Sequence, residues 1–97
     1  MNEKLKRISQ VGIIVKDREV AMAQFEKFLG ISEWTVMNAE ELPVPMEVDG
    51  KEGKLPLHLA ITTFDNGFEI ELIQPVGPCA YMDWLNEHGP GVHHFAI

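Results

Sequence analysis

The chain has 97 residues, enough for one small domain, with fifteen Asp and Glu against eight Lys and Arg for a formal charge of -7. That balance excludes nonspecific nucleic-acid binding, which needs a basic surface to displace counterions, and adhesion to an anionic membrane. No apolar run approaches the roughly 20 residues of a membrane span, and the charged start Met1 to Arg7 is not followed by a signal-type hydrophobic segment. The single cysteine, Cys79, rules out an internal disulfide framework. A reducing, cytoplasmic setting is therefore expected, with Cys79 an inert thiol at the domain edge.

Ile8 to Val15 is short, β-branched and apolar, which predicts a well-buried strand. Alternation places Ile8, Gln10, Gly12 and Ile14 on one face and Ser9, Val11, Ile13 and Val15 on the other. Asp17 is a helix N-cap, Gly30 the matching stop, and Ala21, Phe25, Phe28 and Leu29 form the predicted inward stripe between them. Ser32 to Met37 reads as a second strand. Residues 38–56, broken by Pro43, Pro45, Gly50, Gly53 and Pro56, read as a long mobile loop, with Lys51 to Lys54 as a turn.

Leu57 to Phe64 and Phe68 to Gln74 form a predicted hairpin about Asp65-Asn66-Gly67, where Asn and Gly accept positive φ. In the return strand Phe68, Ile70 and Leu72 share a face, leaving Glu69, Glu71 and Ile73 on the other; Pro75 stops it. Ala80 to His88, closed by Gly89, predicts a short helix with Tyr81, Trp84 and Leu85 on one side. Gly91 to Ile97 begins a last strand. It needs a neighbour for its backbone groups, so either a truncated chain or a second copy completing the sheet is expected.

Gln10, Glu71 and His94 are polar residues set inside apolar strands. A carboxylate buried there costs several kcal/mol unless paired, hydrogen-bonded or bound to metal. Together the three make an O, O, N donor set suited to a divalent cation. Taken singly, each reads more often as an ordinary part-exposed strand residue. His58 reads as a strand-surface residue, His88 as a complement to its helix dipole, and Trp34 and Trp84 as packing residues.

Three stretches carry a family resemblance: Gln10-Val11-Gly12-Ile13-Ile14-Val15-Lys16-Asp17, Ile70-Glu71-Leu72-Ile73-Gln74-Pro75, and Trp84-Leu85 through Gly91-Val92-His93-His94-Phe95-Ala96. They resemble the vicinal oxygen chelate superfamily of glyoxalases, methylmalonyl-CoA epimerases, extradiol dioxygenases and bleomycin-resistance proteins, the last two stretches most like epimerases. The resemblance implies an α+β chain: one βαβββ module over residues 1–97, a short helix, and the first strand of a second module at 91–97. It places metal ligands at Gln10, Glu71 and His94, with His93 turned to the opposite face, and Glu71 also as the catalytic carboxylate. Gln10 stands where epimerases carry His and zinc-type glyoxalase I carries Gln. The family's fourth ligand, a second-module glutamate, has no counterpart, and Leu57 to Phe64 lacks the epimerases' third-strand acid, holding only His58.

The implied cofactor is a divalent metal ion, with Zn, Ni, Co and Mn undistinguished. The implied substrate is a small molecule, a CoA thioester or a glutathione adduct, in a homodimer that binds neither nucleic acid nor membrane. The activity implied is metal-assisted proton transfer next to a carbonyl, as in methylmalonyl-CoA epimerase or lactoylglutathione lyase. The alternatives are a non-catalytic half-module or N-terminal fragment acting as a binding or assembly unit, and a drug-binding relative without metal.

Overall fold

A computed structural model describes residues 8–41, 46–48, 51–53 and 55–96. In chain order they form β1 (Gln10–Ile14), α1 (Arg18–Leu29), β2 (Thr35–Asn38), a 3-10 turn (Ala39–Glu41), β3 (Met46–Val48), β4 (Lys51–Gly53), β5 (Leu57–Thr63), β6 (Glu69–Pro75), α2 (Ala80–His88) and β7 (Gly91–Ala96). One five-stranded sheet runs in the order β2-β5-β6-β1-β7, and β3 with β4 makes a separate two-stranded ribbon. β1 lies parallel to β6, and the other neighbours in the large sheet are antiparallel. This is the α+β arrangement predicted for a βαβββ module with one further strand.

The predicted caps hold α1 in place. The Asp17 carboxylate accepts from the Val20 N–H at 3.1 Å, and Gly30, at φ 70, donates its N–H to the Glu26 carbonyl. α1 covers one face of the sheet through Ala21, Met22 and Phe25, which pack with Val11, Ile13, Val15, Ala60, Ile70 and Leu72. Phe28 and Leu29, predicted to join this stripe, are instead 72% and 66% exposed. The Gly30 turn folds the chain back beneath the last helical turn, so Ile31 and Trp34 occupy that space, Trp34 meeting Phe25 edge-on at 5.7 Å. That return uses up residues 31–34, and β2 begins at Thr35 rather than Ser32.

Arg18, in the first turn of α1, is 8% exposed and reaches under the sheet edge. Its Nη1 donates to the Met37 carbonyl, Asn38 Oδ1 and the Leu59 carbonyl at 3.2, 2.8 and 3.3 Å. One guanidinium thus ties the helix to β2 and β5.

The loop reading of 38–56 is corrected. Ala39–Glu41 is helical, and Met46–Val48 pairs with Lys51–Gly53, so the turn assigned to Lys51 to Lys54 is mostly strand. The mobility expected of this stretch falls partly on residues 42–45, 49, 50 and 54, which lie outside the described residues.

The hairpin at Asp65-Asn66-Gly67 forms as predicted, with Gly67 at φ 87 and Phe64 N–H bonded to the Phe68 carbonyl at 2.8 Å. β6 runs one residue further than predicted, to Pro75 opposite Leu57. At the ladder's end a missing N–H costs nothing. α2 lies on the second face of the sheet, where Tyr81, Met82, Trp84 and Leu85 pack on Ile14, Leu57, Ile73 and Cys79. Cys79 is accordingly a buried core residue, not an edge thiol. β7 finds its backbone neighbour within the chain, pairing antiparallel with β1, while Val92 and Phe95 stay 50% and 61% exposed. Ile97 lies outside the described residues.

Replacing Arg18 by Met keeps the apolar stem and removes the hydrogen bonds. We expect a loss of about 2–3 kcal/mol, read from the urea midpoint at unchanged m-value. A change below about 0.5 kcal/mol would show that the guanidinium is dispensable.

Candidate metal centre

The centre forms where β6, β1 and β7 run side by side. Register sets Gly12 opposite Glu71 on one flank and opposite His94 on the other. One pair further along the same face, Gln10 stands between Glu69 and Ala96. α2 covers only the Ile14–Ile73 end of this face, so the Glu71 and His94 side chains beyond it keep 18% and 33% of their exposure.

Gly12 carries the arrangement. A β-carbon there would fall 2.5 Å from His94 Nε2 and 2.7 Å from Nδ1, with Cε1 closer still. The imidazole therefore lies flat over the β1 backbone, and only glycine leaves it room. From that position His94 Nε2 comes within 4.0 Å of Glu71 Oε1. This is too long for a direct hydrogen bond, and slightly wider than the roughly 3.4 Å between two donors each about 2.1 Å from a tetrahedral cation. A nitrogen and a carboxylate oxygen therefore face one another across a gap of the right order for an ion. The donor types and the glycine-floored cradle fit a divalent metal.

Gln10 shares the face but is committed elsewhere: its Nε2 donates to Glu69 Oε1 at 3.4 Å, and Thr63 Oγ1 donates to Glu69 Oε2 at 3.2 Å. With the amide nitrogen on Glu69, Oε1 is the amide atom outside that hydrogen bond. The structure thus brings Glu71 and His94 together and sets Gln10 beside them on the same face. Among the described residues no three His, Cys, Asp or Glu side chains cluster closely enough to bind a metal by themselves.

Burial raises the Glu71 carboxyl above its usual range; His94 opposes the rise and the neighbouring Glu69 charge adds to it.

His93 departs from the predicted geometry. The pairing steps from Gly12↔His94 to Ile13↔Val92, leaving His93 as an extra residue on β7. Such a bulge breaks alternation. The His93 ring consequently stays on the α2 side, 5.2 Å from Tyr81 and 5.3 Å from Trp84, with its Nδ1 3.0 Å from His94 Nδ1. Glu69 and Thr63 were also missed as participants, although alternation had already put Glu69 on the Glu71 face. His58 lies away from the centre, bonded to Glu40 at 2.6 Å.

A family model for the Glyoxalase/Bleomycin resistance protein/Dioxygenase superfamily matches residues 9–97. The chain belongs to this superfamily. Solved structures agree in fold. A single-substitution variant of Streptomyces coelicolor methylmalonyl-CoA epimerase in complex with 2-nitronate-propionyl-CoA superposes with TM-score 0.68 at 21% identity, covering 92% of this chain and 59% of that one. Methylmalonyl-CoA epimerase from Mycobacterium tuberculosis gives 0.61 at 20% identity, covering 91% and 51%. A hypothetical protein from Bacillus halodurans C-125 gives 0.63 at 18%, covering 92% and 55%. The chain thus spans between half and three-fifths of the length of these solved proteins. No curated protein matches it significantly. Among the described residues no helix is long and apolar enough to cross a membrane.

Two outcomes follow from this geometry. Gly12→Ala should displace the His94 ring and cost about 1–3 kcal/mol of stability, seen by denaturation and by altered His94 NMR shifts; wild-type values of both would contradict the cradle. In metal-free protein, a carboxyl whose folded pKa lies above its unfolded value favours the fold at low pH and loses that contribution as pH rises through the folded value. Wild-type stability should therefore fall relative to Glu71→Gln on raising the pH from the ordinary carboxylate range, 4.5 for a free glutamate. Parallel stability curves would contradict the burial.

Proposed function

We propose that this chain carries part of a divalent-metal site, with Glu71, His94 and Gln10 as ligands, serving proton transfer next to a carbonyl. The observation that carries the reading is the approach of His94 and Glu71 across Gly12. A bound dication supplies Lewis-acid polarisation of a substrate carbonyl oxygen.

The chain's own residues supply the rest. Glu71, with its carboxyl raised by burial, is suited to hold and pass a proton, a kind of help typically worth about two to four powers of ten. Glu69, fixed by Thr63 and Gln10, keeps the Gln10 amide in one orientation. A cleft of ≈ 220 Å³ lined by Glu33, Trp34, Thr35, Ile61 and Thr63 opens on the same face. Ile61 and Thr63 there pair with Glu71 and Glu69, so a substrate seated in it lies beside the carboxylates.

The substrate we favour is an acyl-CoA thioester whose α-carbon loses and regains a proton, making the activity that of a methylmalonyl-CoA epimerase-like isomerase. Two of the epimerase structures of the same fold are complexes, one with methylmalonyl-CoA and one with 2-nitronate-propionyl-CoA. A glutathione adduct, handled as by a glyoxalase-type lyase, is the neighbouring chemistry, since it too loses a proton beside an oxygen. A partner copy in a homodimer completes the second half of the cavity. A metal-free binding or assembly unit is the second reading, favoured by the absence, among the described residues, of a cluster of three His, Cys, Asp or Glu side chains able to hold a metal.

Metal analysis of chelator-stripped, reloaded protein decides between them. Wild type should take up Zn2+ or Co2+, and Glu71→Ala should bind more weakly by a margin beyond the about 10–100-fold lost with an outer-sphere partner. Equal uptake by both would remove the site.

A further inference from the structure

We infer that His93 is a positioning residue: it accepts a hydrogen bond from His94 Nδ1–H and so leaves His94 Nε2 as a bare lone pair directed toward Glu71. The inference rests on the metal reading for the direction of this bond and on geometry for the contact itself.

Two ring nitrogens 3.0 Å apart share a single proton, so one of them is the donor. If His93 donated, the His94 proton would sit on Nε2, where the nearest acceptor of the pair, Glu71 Oε1, is 4.0 Å away and out of hydrogen-bond reach. If His94 donates from Nδ1, its proton is satisfied at 3.0 Å and Nε2 is the free nitrogen. Both arrangements make the same 3.0 Å bond, and only the second leaves Nε2 able to hold a metal. A ligating imidazole is commonly fixed in this way, by a partner on its other nitrogen.

The surroundings of His93 suit the task. The bulge after Gly12 is what keeps consecutive rings on one side of the sheet, nearly perpendicular at 87° with centroids 5.3 Å apart. Tyr81 and Trp84 of α2 then hold the His93 ring from the side away from the centre. The short helix therefore reaches the centre through His93, linking the core cluster of Ile14 and Ile73 to the orientation of one imidazole.

The test uses nitrogen-15 NMR of the metal-free protein at a pH above the ordinary imidazole range, with His93→Phe and His93→Asn beside wild type. Phe keeps a ring between Tyr81 and Trp84 without an acceptor, whereas Asn places an amide oxygen near the position of Nδ1. His94 should be protonated at Nδ1 in wild type and His93→Asn, and shift to the Nε2–H form in His93→Phe. Zn2+ affinity should fall about 10–100-fold in His93→Phe and be largely restored in His93→Asn. An Nε2–H His94 in wild type, or a His94 tautomer unchanged in His93→Phe, would overturn the inference. A tautomer shift as described in protein that binds no Zn2+ would support the positioning role while overturning the metal reading.

Discussion

The imidazole of His94 lies against the bare backbone of Gly12, and the rest of the centre depends on that contact. Any side chain at position 12 would lift the ring off the sheet and away from Glu71. With glycine there, β1 becomes a floor between an acidic strand and an imidazole-bearing strand, and the two side chains lean toward each other above it. The same constraint explains the value of the bulge in β7. A bulge re-aims side chains locally, and here it keeps His93 beside His94 where strict alternation would have sent it to the α1 face.

The two faces of the sheet divide the work. The α1 face is closed by an apolar cluster and by Arg18, whose guanidinium satisfies carbonyls on both β2 and β5. The α2 face is only half closed. Ile14 and Ile73 are sealed beneath Trp84 and Leu85, while two residues earlier on the same strands the occupants are Gly12 and Glu71. A carboxylate placed so close to a sealed core is partly desolvated, which raises its pKa, and it sits next to a second carboxylate, Glu69. Such a pair is costly for stability alone, and a cation or a transferable proton relieves it.

Much of this was legible in the sequence because the strands obey period two. Alternation alone put Gln10, Gly12 and Ile14 on one face and Glu69, Glu71 and Ile73 on one face, and the register then joined those faces. The Asp17 and Gly30 caps and the Asn66-Gly67 turn were equally plain, since each residue type meets a local backbone demand. What failed had non-local causes. Phe28 and Leu29 fit the helical period, but the chain returning through Ile31 and Trp34 took their place. The orientation of His93 depended on a one-residue slip between paired strands, which no periodicity within β7 reveals. Glu69 had been placed on the correct face and given no role, because only coordinates show Gln10 and Thr63 converging on it.

The central claim is that Glu71 and His94 grip one cation over Gly12. Anomalous diffraction from crystals of the Co2+-loaded protein tests it most directly. The account predicts a peak above Gly12 in contact with both His94 Nε2 and the Glu71 carboxylate. A peak confined to surface groups such as His88 and Glu87, with the space between Glu71 and His94 empty, would contradict it.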